Sequence, residues 1–233
     1  MLAVSLFVGA CATPGGYSGV PGENRAERLA AAGEHEDAAR VYISLAAEAS
    51  LQERDRLKVL AVEQWLDAGE INLARNAFRS IPQPTTTESR HLWNTNAAAL
   101  ALYAGEADEA LDILETMSRQ SLSERHRLRV EALRADAWIQ KGDPARAIEL
   151  MTQREMWLSD RRSIERNRQR LWQGLLVSEP QQLRAAADLT LDREVRGWLE
   201  ISSLAASTGQ QGIGWINGAV RWREAVSYTH LTL

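Results

Sequence analysis

Apolar side chains recur along much of this chain at the three- and four-residue spacing of an amphipathic α-helix. Two stripes show the spacing clearly, and they consist of Leu57, Leu60, Ala61, Gln64 and Trp65, and of Leu128, Ala132, Ala135, Trp138 and Ile139. Such spacing brings the side chains to one face of a helix, so the pattern predicts helices with one buried face. Few glycines and prolines, with abundant Ala, Leu, Arg and Glu, also favour helix.

The helical pattern is itself repeated along the chain. A glycine followed by an acidic residue recurs at Gly33, Gly69, Gly105 and Gly142, which are 36, 36 and 37 residues apart. An alanine stands five residues after each glycine and a large apolar residue nine after it, giving the pairs Ala38 and Tyr42, Ala74 and Phe78, Ala110 and Leu114, and Ala147 and Met151. The glycine suits a helix C-cap, and the alanine allows close helix contact. The period predicts an all-α, TPR-like α-solenoid of stacked helix pairs with about 10–12 helices.

Local signals place several helix boundaries. Ile81-Pro82-Gln83-Pro84 predicts a break, after which Thr85 to Thr87 could cap the next helix. Asp143-Pro144 has the form of an N-cap followed by proline at the first helical position. After about residue 155 the repeat loses its phase. Less regular helices are expected over 160–176, from 178–180 onward, over 192–207 and over 212–225.

The first 22 residues differ from the rest. Residues 1–10 are apolar and uncharged, Cys11 follows, and six of residues 13–23 are Gly or Pro. Ten apolar residues are too few to span a bilayer but suit the end of a secretory signal. Val8-Gly9-Ala10-Cys11 resembles a bacterial lipobox, so we predict lipidation at Cys11, with a signal peptide end over 1–11 and a flexible linker over 12–22. The missing basic segment before the apolar run leads us to expect a start upstream of Met1.

Charge and motif content exclude several functions. A net charge of −4 argues against nucleic-acid binding, which needs a basic surface. One cysteine permits neither an intrachain disulfide nor a thiolate zinc cluster. None of the four histidines has metal-ligand spacing, and no P-loop, GxSxG or GxGxxG motif of a nucleotide site or nucleophile occurs. We therefore expect no cofactor, no metal and no enzymatic activity, although the many carboxylates leave a glycan-cleaving pair open.

An arginine-rich run occupies residues 154–170, with six arginines and three acidic residues. Its simplest interpretation is a solvated helix face joined by salt bridges. The sharper hypothesis is a patch that contacts an acidic partner or the carboxylates of peptidoglycan stems. For that contact we single out Arg161, Arg162 and Arg166.

The later segments resemble a known family when taken in order. They are Asn167 to Leu175, then Arg196-Gly197-Trp198-Leu199-Glu200, then Trp215 and Trp222-Arg223. With the lipobox and the TPR-like region, this order resembles the N-terminal domain of the LpoA family over residues 1 to about 224. Members are outer-membrane lipoproteins that activate a bifunctional penicillin-binding protein.

The resemblance implies a non-catalytic protein on the periplasmic side of the outer membrane, held there by its lipid. It would regulate peptidoglycan synthesis and cell shape by binding and activating the synthase. Ala12 takes the place of the aspartate that marks inner-membrane retention, which favours the outer membrane. In the family a second domain, which resembles a periplasmic binding protein and is thought to contact the synthase, follows the helical one.

The chain departs from the family after Glu224, where a tyrosine-proline phrase is expected. We predict a helical domain over 23–226 and a non-native tail over 227–233, as in a truncated gene fragment. Two other functions stay open on the sequence. One is a TPR-like scaffold lipoprotein of an outer-membrane assembly complex, and the other is a lytic enzyme built on an α-solenoid.

Overall fold

The computed structural model describes residues 22–117 and 122–208. These residues form eleven helices and no strand: α1 (Glu23–Ala32), α2 (His35–Glu48), α3 (Leu51–Asp67), α4 (Ile71–Arg79), α5 (Thr87–Ala104), α6 (Ala107–Glu115), α7 (Glu124–Gln140), α8 (Pro144–Glu155), α9 (Arg161–Leu176), α10 (Pro180–Leu189) and α11 (Arg193–Thr208). None of these helices combines the length and apolarity needed to cross a membrane.

The helices stack as pairs, as the period predicts. Short turns join α1 to α2, α3 to α4, α5 to α6 and α7 to α8, and the members of each pair pack together. Such short connections make the paired helices antiparallel. Helices α3, α5, α7 and α9 lie side by side in one layer, since α3 contacts α5, α5 contacts α7 and α7 contacts α9. The predicted all-α solenoid of stacked helix pairs is confirmed.

The four repeated glycines end their helices in the same way. Each has a positive φ between 78° and 85°. In every case the amide of the residue after the glycine donates to the carbonyl four residues before the glycine, which is the six-to-one bond of a Schellman turn. The four bonds join Glu34 to Leu29 (2.9 Å), Glu70 to Trp65 (2.8 Å), Glu106 to Ala101 (2.9 Å) and Asp143 to Trp138 (2.9 Å).

The alanines and large residues of the repeat occupy the predicted positions. All four alanines have no exposed surface, which is what close contact between two helices requires. Of the large residues, Tyr42, Leu114 and Met151 are buried, while Phe78 is half-buried and packs its ring against Trp93 with centroids 4.7 Å apart. Three hydrophobic clusters follow one another along the chain. Trp65 packs against the first two and Trp138 against the last two, so the core is continuous.

Side-chain caps begin five of the described helices, and the sequence predicts two of these caps. The Thr86 hydroxyl accepts from the Ser89 amide, and Asp143 accepts from the Arg146 amide ahead of Pro144. Ser123, Asp160 and Asp192 cap α7, α9 and α11 in the same way. The glutamates that follow the first three repeat glycines occupy N-cap positions but make no side-chain capping bond.

The repeat ends near residue 155, as expected. Helix α9 has no paired partner of its own and packs on α7 and α8, and the α10–α11 hairpin packs on α8 and α9. The helix predicted over 212–225, with Trp215 and Trp222, lies outside the described residues. The signal segment, the linker and the tail predicted over 227–233 lie outside them too, so the proposed domain boundaries stay predictions.

Candidate functional site

Ion pairs join α7 to α3 across the intervening helix α5. Two arginines of α7 pair with two carboxylates of α3. Helices separated by one neighbour have axes about 16–20 Å apart, twice the usual spacing of packed helices. The long arginine side chains therefore reach over α5, and we call the face of the layer on which these pairs lie the inner face.

The inner-face ion pairs centre on Glu63. Its side chain is only 3% exposed, and it accepts from Arg125 at 3.1 Å and lies 3.4 Å from Arg129. Arg129 also pairs with Asp67 at 2.9 Å. The charge of Glu63 is the main cause that raises the pKa of Arg125. A carboxylate with so little solvent needs such partners, so these contacts fix α7 relative to α3.

One groove of about 680 Å³ opens beside these pairs, and we call it the acidic groove. It is bordered by α1, α3, α5 and α7, and its floor includes Tyr42, Leu60 and Leu92. Six of its lining residues are glutamates: Glu23, Glu27, Glu53, Glu63, Glu88 and Glu124. Among the described residues, two arginines, Arg56 and Arg125, line it with them, together with His126.

Arg56 neutralises one end of the acidic groove. Its two terminal nitrogens donate to the two carboxylate oxygens of Glu23, each at 2.7 Å, and its Nε donates to Glu53 at 2.8 Å. The hydrogen bond to Glu23 is the largest cause that raises the pKa of this guanidinium. The fork geometry ties α3 to the start of α1, and it leaves Arg56 no carboxylate-binding edge for a ligand.

Tyr42 contributes an unusual polar group to the same groove. The residue is 3% exposed, yet it lines the acidic groove, and its hydroxyl has no hydrogen-bond partner among the described residues. Burial, followed by the charges of Glu23 and Glu27, raises its pKa to about 12. The phenol therefore stays neutral at physiological pH and can both donate and accept.

A second groove of about 630 Å³ lies farther along the same layer, toward α9. Its charged lining is balanced, because Arg129 pairs with Asp67 and Arg170 pairs with Asp136 at 2.5 Å. Exposed Tyr103 and Val177 contribute apolar surface to its lining. This groove carries less unpaired charge than the acidic groove.

The arginine-rich run divides into two halves. Arg168 pairs with Glu155 at 2.8 Å, Arg170 pairs with Asp136, and Arg154 donates to the Leu128 carbonyl and to Asn167. Arg168 and Arg170 match the salt-bridge interpretation, whereas Arg154 bonds to neutral oxygen atoms. The three predicted contact residues are exposed. Arg161 is 92% exposed and pairs, among the described residues, with Glu165 of its own helix, Arg166 contacts Ser163, and Arg162 lies on the same turn. They line neither groove.

Two of the histidines, His35 and His126, form hydrogen bonds to neighbouring side chains. His35 bonds to the Gln64 side chain at 2.9 Å, which explains why the apolar stripe of α3 contains one polar residue. His126 bonds to the Ser123 hydroxyl at 2.9 Å, and burial lowers its pKa. Within residues 22–117 and 122–208, no three His, Cys, Asp or Glu side chains are grouped closely enough to hold a metal ion. Cys11 lies outside the described residues, so its lipidation stays a prediction.

Sequence patterns missed the acidic groove. Glu63 and Arg125 are 62 residues apart, which is not a multiple of the repeat, so the period carries no signal for their pairing. Tyr42 was identified as a packing residue only. A usable signal is that α3 carries a buried carboxylate beside its apolar stripe, because such a group requires a cationic partner.

The fold was compared with known proteins. No family model and no curated protein matches the sequence. Among solved structures, the E. coli LpoA amino-terminal domain is similar with a TM-score of 0.53 and 18% identity, covering 80% of this chain and 83% of that one. The Haemophilus influenzae LpoA N-terminal domain has a TM-score of 0.63 and 15% identity over 80% and 84% of the two chains.

Full-length LpoA from Haemophilus influenzae is also similar, with a TM-score of 0.61 and 15% identity. The likeness covers 80% of this chain but only 35% of that protein. At these identities the comparison establishes the fold and not the activity. The described helices have the fold of the LpoA N-terminal domain.

Proposed function

We propose that this chain is the helical domain of an outer-membrane lipoprotein that regulates peptidoglycan synthesis. It acts by binding and activating a bifunctional penicillin-binding protein and catalyses no reaction itself. The observation that carries the proposal is the likeness to LpoA N-terminal domains over 80% of the chain, in a solenoid preceded in the sequence by a segment that resembles a lipobox and by a Gly/Pro-rich stretch.

The anchor belongs to the proposal because of its chemistry. Acylation at Cys11 would add about 0.8 kcal/mol of membrane affinity per buried methylene, so several chains together hold the protein at the membrane. Residues 12–22 would form a flexible spacer of roughly 20 Å, given the usual scaling of glycine-rich linkers. The solenoid can then present its faces to a partner in the periplasm at a distance from the lipid surface.

The exposed arginines of α9 are the proposed synthase contact. Arg161, Arg162 and Arg166 lie within two turns of one helix and line neither groove. Arginine is enriched at protein interfaces because its planar donors match carboxylates. The neighbouring Arg154, Arg168 and Arg170 hold the helix against α7 and α8, so the exposed three sit on a fixed support.

The test is capture from solubilised membranes of a Gram-negative bacterium, with the full acylated chain as bait. The proposal predicts recovery of the bifunctional synthase, and at least tenfold less recovery with R161E/R162E/R166E. The matched control R25E/R28E/R79E reverses three other exposed arginines and should recover as much synthase as the unaltered chain. Recovery of a barrel-assembly complex instead would favour the scaffold function and contradict the proposal.

A further inference from the structure

The acidic groove retains carboxylates that the protein itself does not neutralise. Arg56 forms ion pairs with Glu23 and Glu53, and Arg125 forms one with Glu63. Glu27, Glu88 and Glu124 are exposed, and none of them has an ion pair or hydrogen bond to another described side chain. With the pKa of His126 lowered by burial, the described residues of the groove lining carry six carboxylates and two guanidinium groups.

The three free carboxylates belong to three different helices, α1, α5 and α7, so they surround the groove. Between them lie Leu60, Leu92 and Tyr42, a residue that is only 3% exposed and whose hydroxyl has no hydrogen-bond partner among the described residues. A neutral phenol in this position can accept a hydrogen bond from an ammonium or guanidinium group. The groove therefore combines charge, an apolar floor and a hydroxyl acceptor without a described partner.

We infer that the acidic groove binds a cationic, extended segment of a protein partner. Lysine or arginine side chains of that segment pair with Glu27, Glu88 and Glu124, one of them bonds to the Tyr42 hydroxyl, and an apolar side chain covers Leu60 and Leu92. The inference goes beyond the synthase contact proposed for α9, because it concerns another face and the opposite charge.

The dimensions of the groove fit such a segment. A volume of 680 Å³ falls within the range of about 300–1,000 Å³ that ligand sites occupy. A segment that crosses from α1 to α7 passes three helix spacings of about 8–10 Å, and it would need roughly seven to nine extended residues. Anionic ligands, among them the carboxylates of peptidoglycan stems, are disfavoured by the surplus of negative charge.

The binding test uses the full chain and a labelled nonapeptide made of three Lys-Leu-Gly triplets, followed by fluorescence anisotropy. A second peptide with glutamate in place of lysine serves as the charge control. We expect the lysine peptide to bind and the glutamate peptide not to bind. The affinity for the lysine peptide should fall as the salt concentration is raised in roughly threefold steps from about 0.05 to about 0.5 M, a range that includes physiological ionic strength.

Substitutions in the acidic groove test whether the lysine peptide binds there. E27Q/E88Q/E124Q should weaken the lysine peptide about tenfold, since three exposed pairs of modest strength are lost. The control E48Q/E109Q/E115Q removes three exposed carboxylates from α2 and α6 and should leave affinity unchanged. Y42F removes only the unpartnered hydroxyl and should weaken binding about threefold, the effect of one modest hydrogen bond.

Circular dichroism of each variant monitors folding, and the substituted glutamates are exposed, so the fold should be retained. Equal loss in the groove variant and in its control would overturn the inference, because binding would then depend on net charge alone. Binding of soluble peptidoglycan fragments at this groove without binding of the lysine peptide would overturn it as well. Neither result bears on synthase capture through α9, so the two proposals fail separately.

Discussion

Helices α1–α8 and helices α9–α11 pack through different contacts. In the first region a glycine turn joins the two helices of each pair and a fully buried alanine packs between them, and this arrangement occurs four times. In the second region no repeat glycine closes a pair among the described residues, and long polar side chains supplement the apolar cluster that contains Leu171, Leu183 and Leu199. Buried Asn167 donates to the Met151 carbonyl at 3.0 Å, Arg168 pairs with Glu155, and Arg184 donates to Ser203 and Ser207.

The difference teaches how the regular repeat can end without loss of structure. A glycine turn followed by alanine fixes one pair geometry, so a helix placed differently needs other contacts. Gly174 and the polar bonds supply them for α9, since a Cβ at Gly174 would lie only 2.6 Å from the Ile139 Cδ1 atom of α7. The second region thereby gains a helix whose outer face carries the three exposed arginines.

The largest expected effect is on the apolar packing of the regular region. Leu114 has no exposed surface, and Leu114→Ala should lower the free energy of unfolding by about 3 kcal/mol through lost burial and a residual cavity. Leu73 is 48% exposed, so Leu73→Ala should change it much less. Urea denaturation followed by circular dichroism measures both. Equal effects of the two substitutions would contradict the assigned core.

A smaller loss is expected where polar bonds hold the second region. Asn167→Ala leaves the Met151 carbonyl without this donor and removes a partner of Arg154, and it should cost about 2 kcal/mol. Exposed Asn72 provides the matched control, because Asn72→Ala lies on α4 and breaks no described bond. If the denaturation midpoints of both variants equal that of the unaltered chain, the polar network does not stabilise α9.

The two kinds of glycine should respond differently to alanine. Gly105 has φ 83° and open space around it, so Gly105→Ala should cost about 1 kcal/mol from backbone strain alone. Gly174→Ala should also cost about 1 kcal/mol, but through its contact with Ile139. In an Ile139→Val background the contact disappears, and Gly174→Ala should then stabilise the helix slightly. A cost at Gly174 that persists in this background would refute the packing explanation.

The smallest expected effect is a pH dependence at His126. Burial lowers its pKa in the folded protein below the usual value of 6.5, so the unfolded chain binds the proton more tightly. Stability should therefore fall as pH decreases from the unfolded pKa toward the folded one. His126→Gln should flatten this part of the curve, as thermal melts between neutral and mildly acidic pH would show. An unchanged slope in the variant would assign the dependence to another group.

Local patterns predicted the fold because its turns are local. The glycines, the alanines five residues later and the caps at Thr86 and Asp143 each act within one or two turns of helix. The acidic groove depends on pairs such as Glu63 with Arg125, which only the stacking of several helices brings together. The arginine run shows both cases, since Arg161 pairs within its own helix whereas Arg170 reaches Asp136 on α7.

Crosslinking by a purified bifunctional penicillin-binding protein, with and without this chain, tests the central claim most directly. The acylated chain in detergent is added to the synthase and its lipid-linked substrate, and crosslinked peptides are quantified by chromatography after glycan digestion. The account predicts that the crosslinked fraction rises when the chain is present and that the chain alone leaves purified peptidoglycan unchanged. An unchanged crosslinked fraction, or turnover of peptidoglycan by the chain itself, would contradict it.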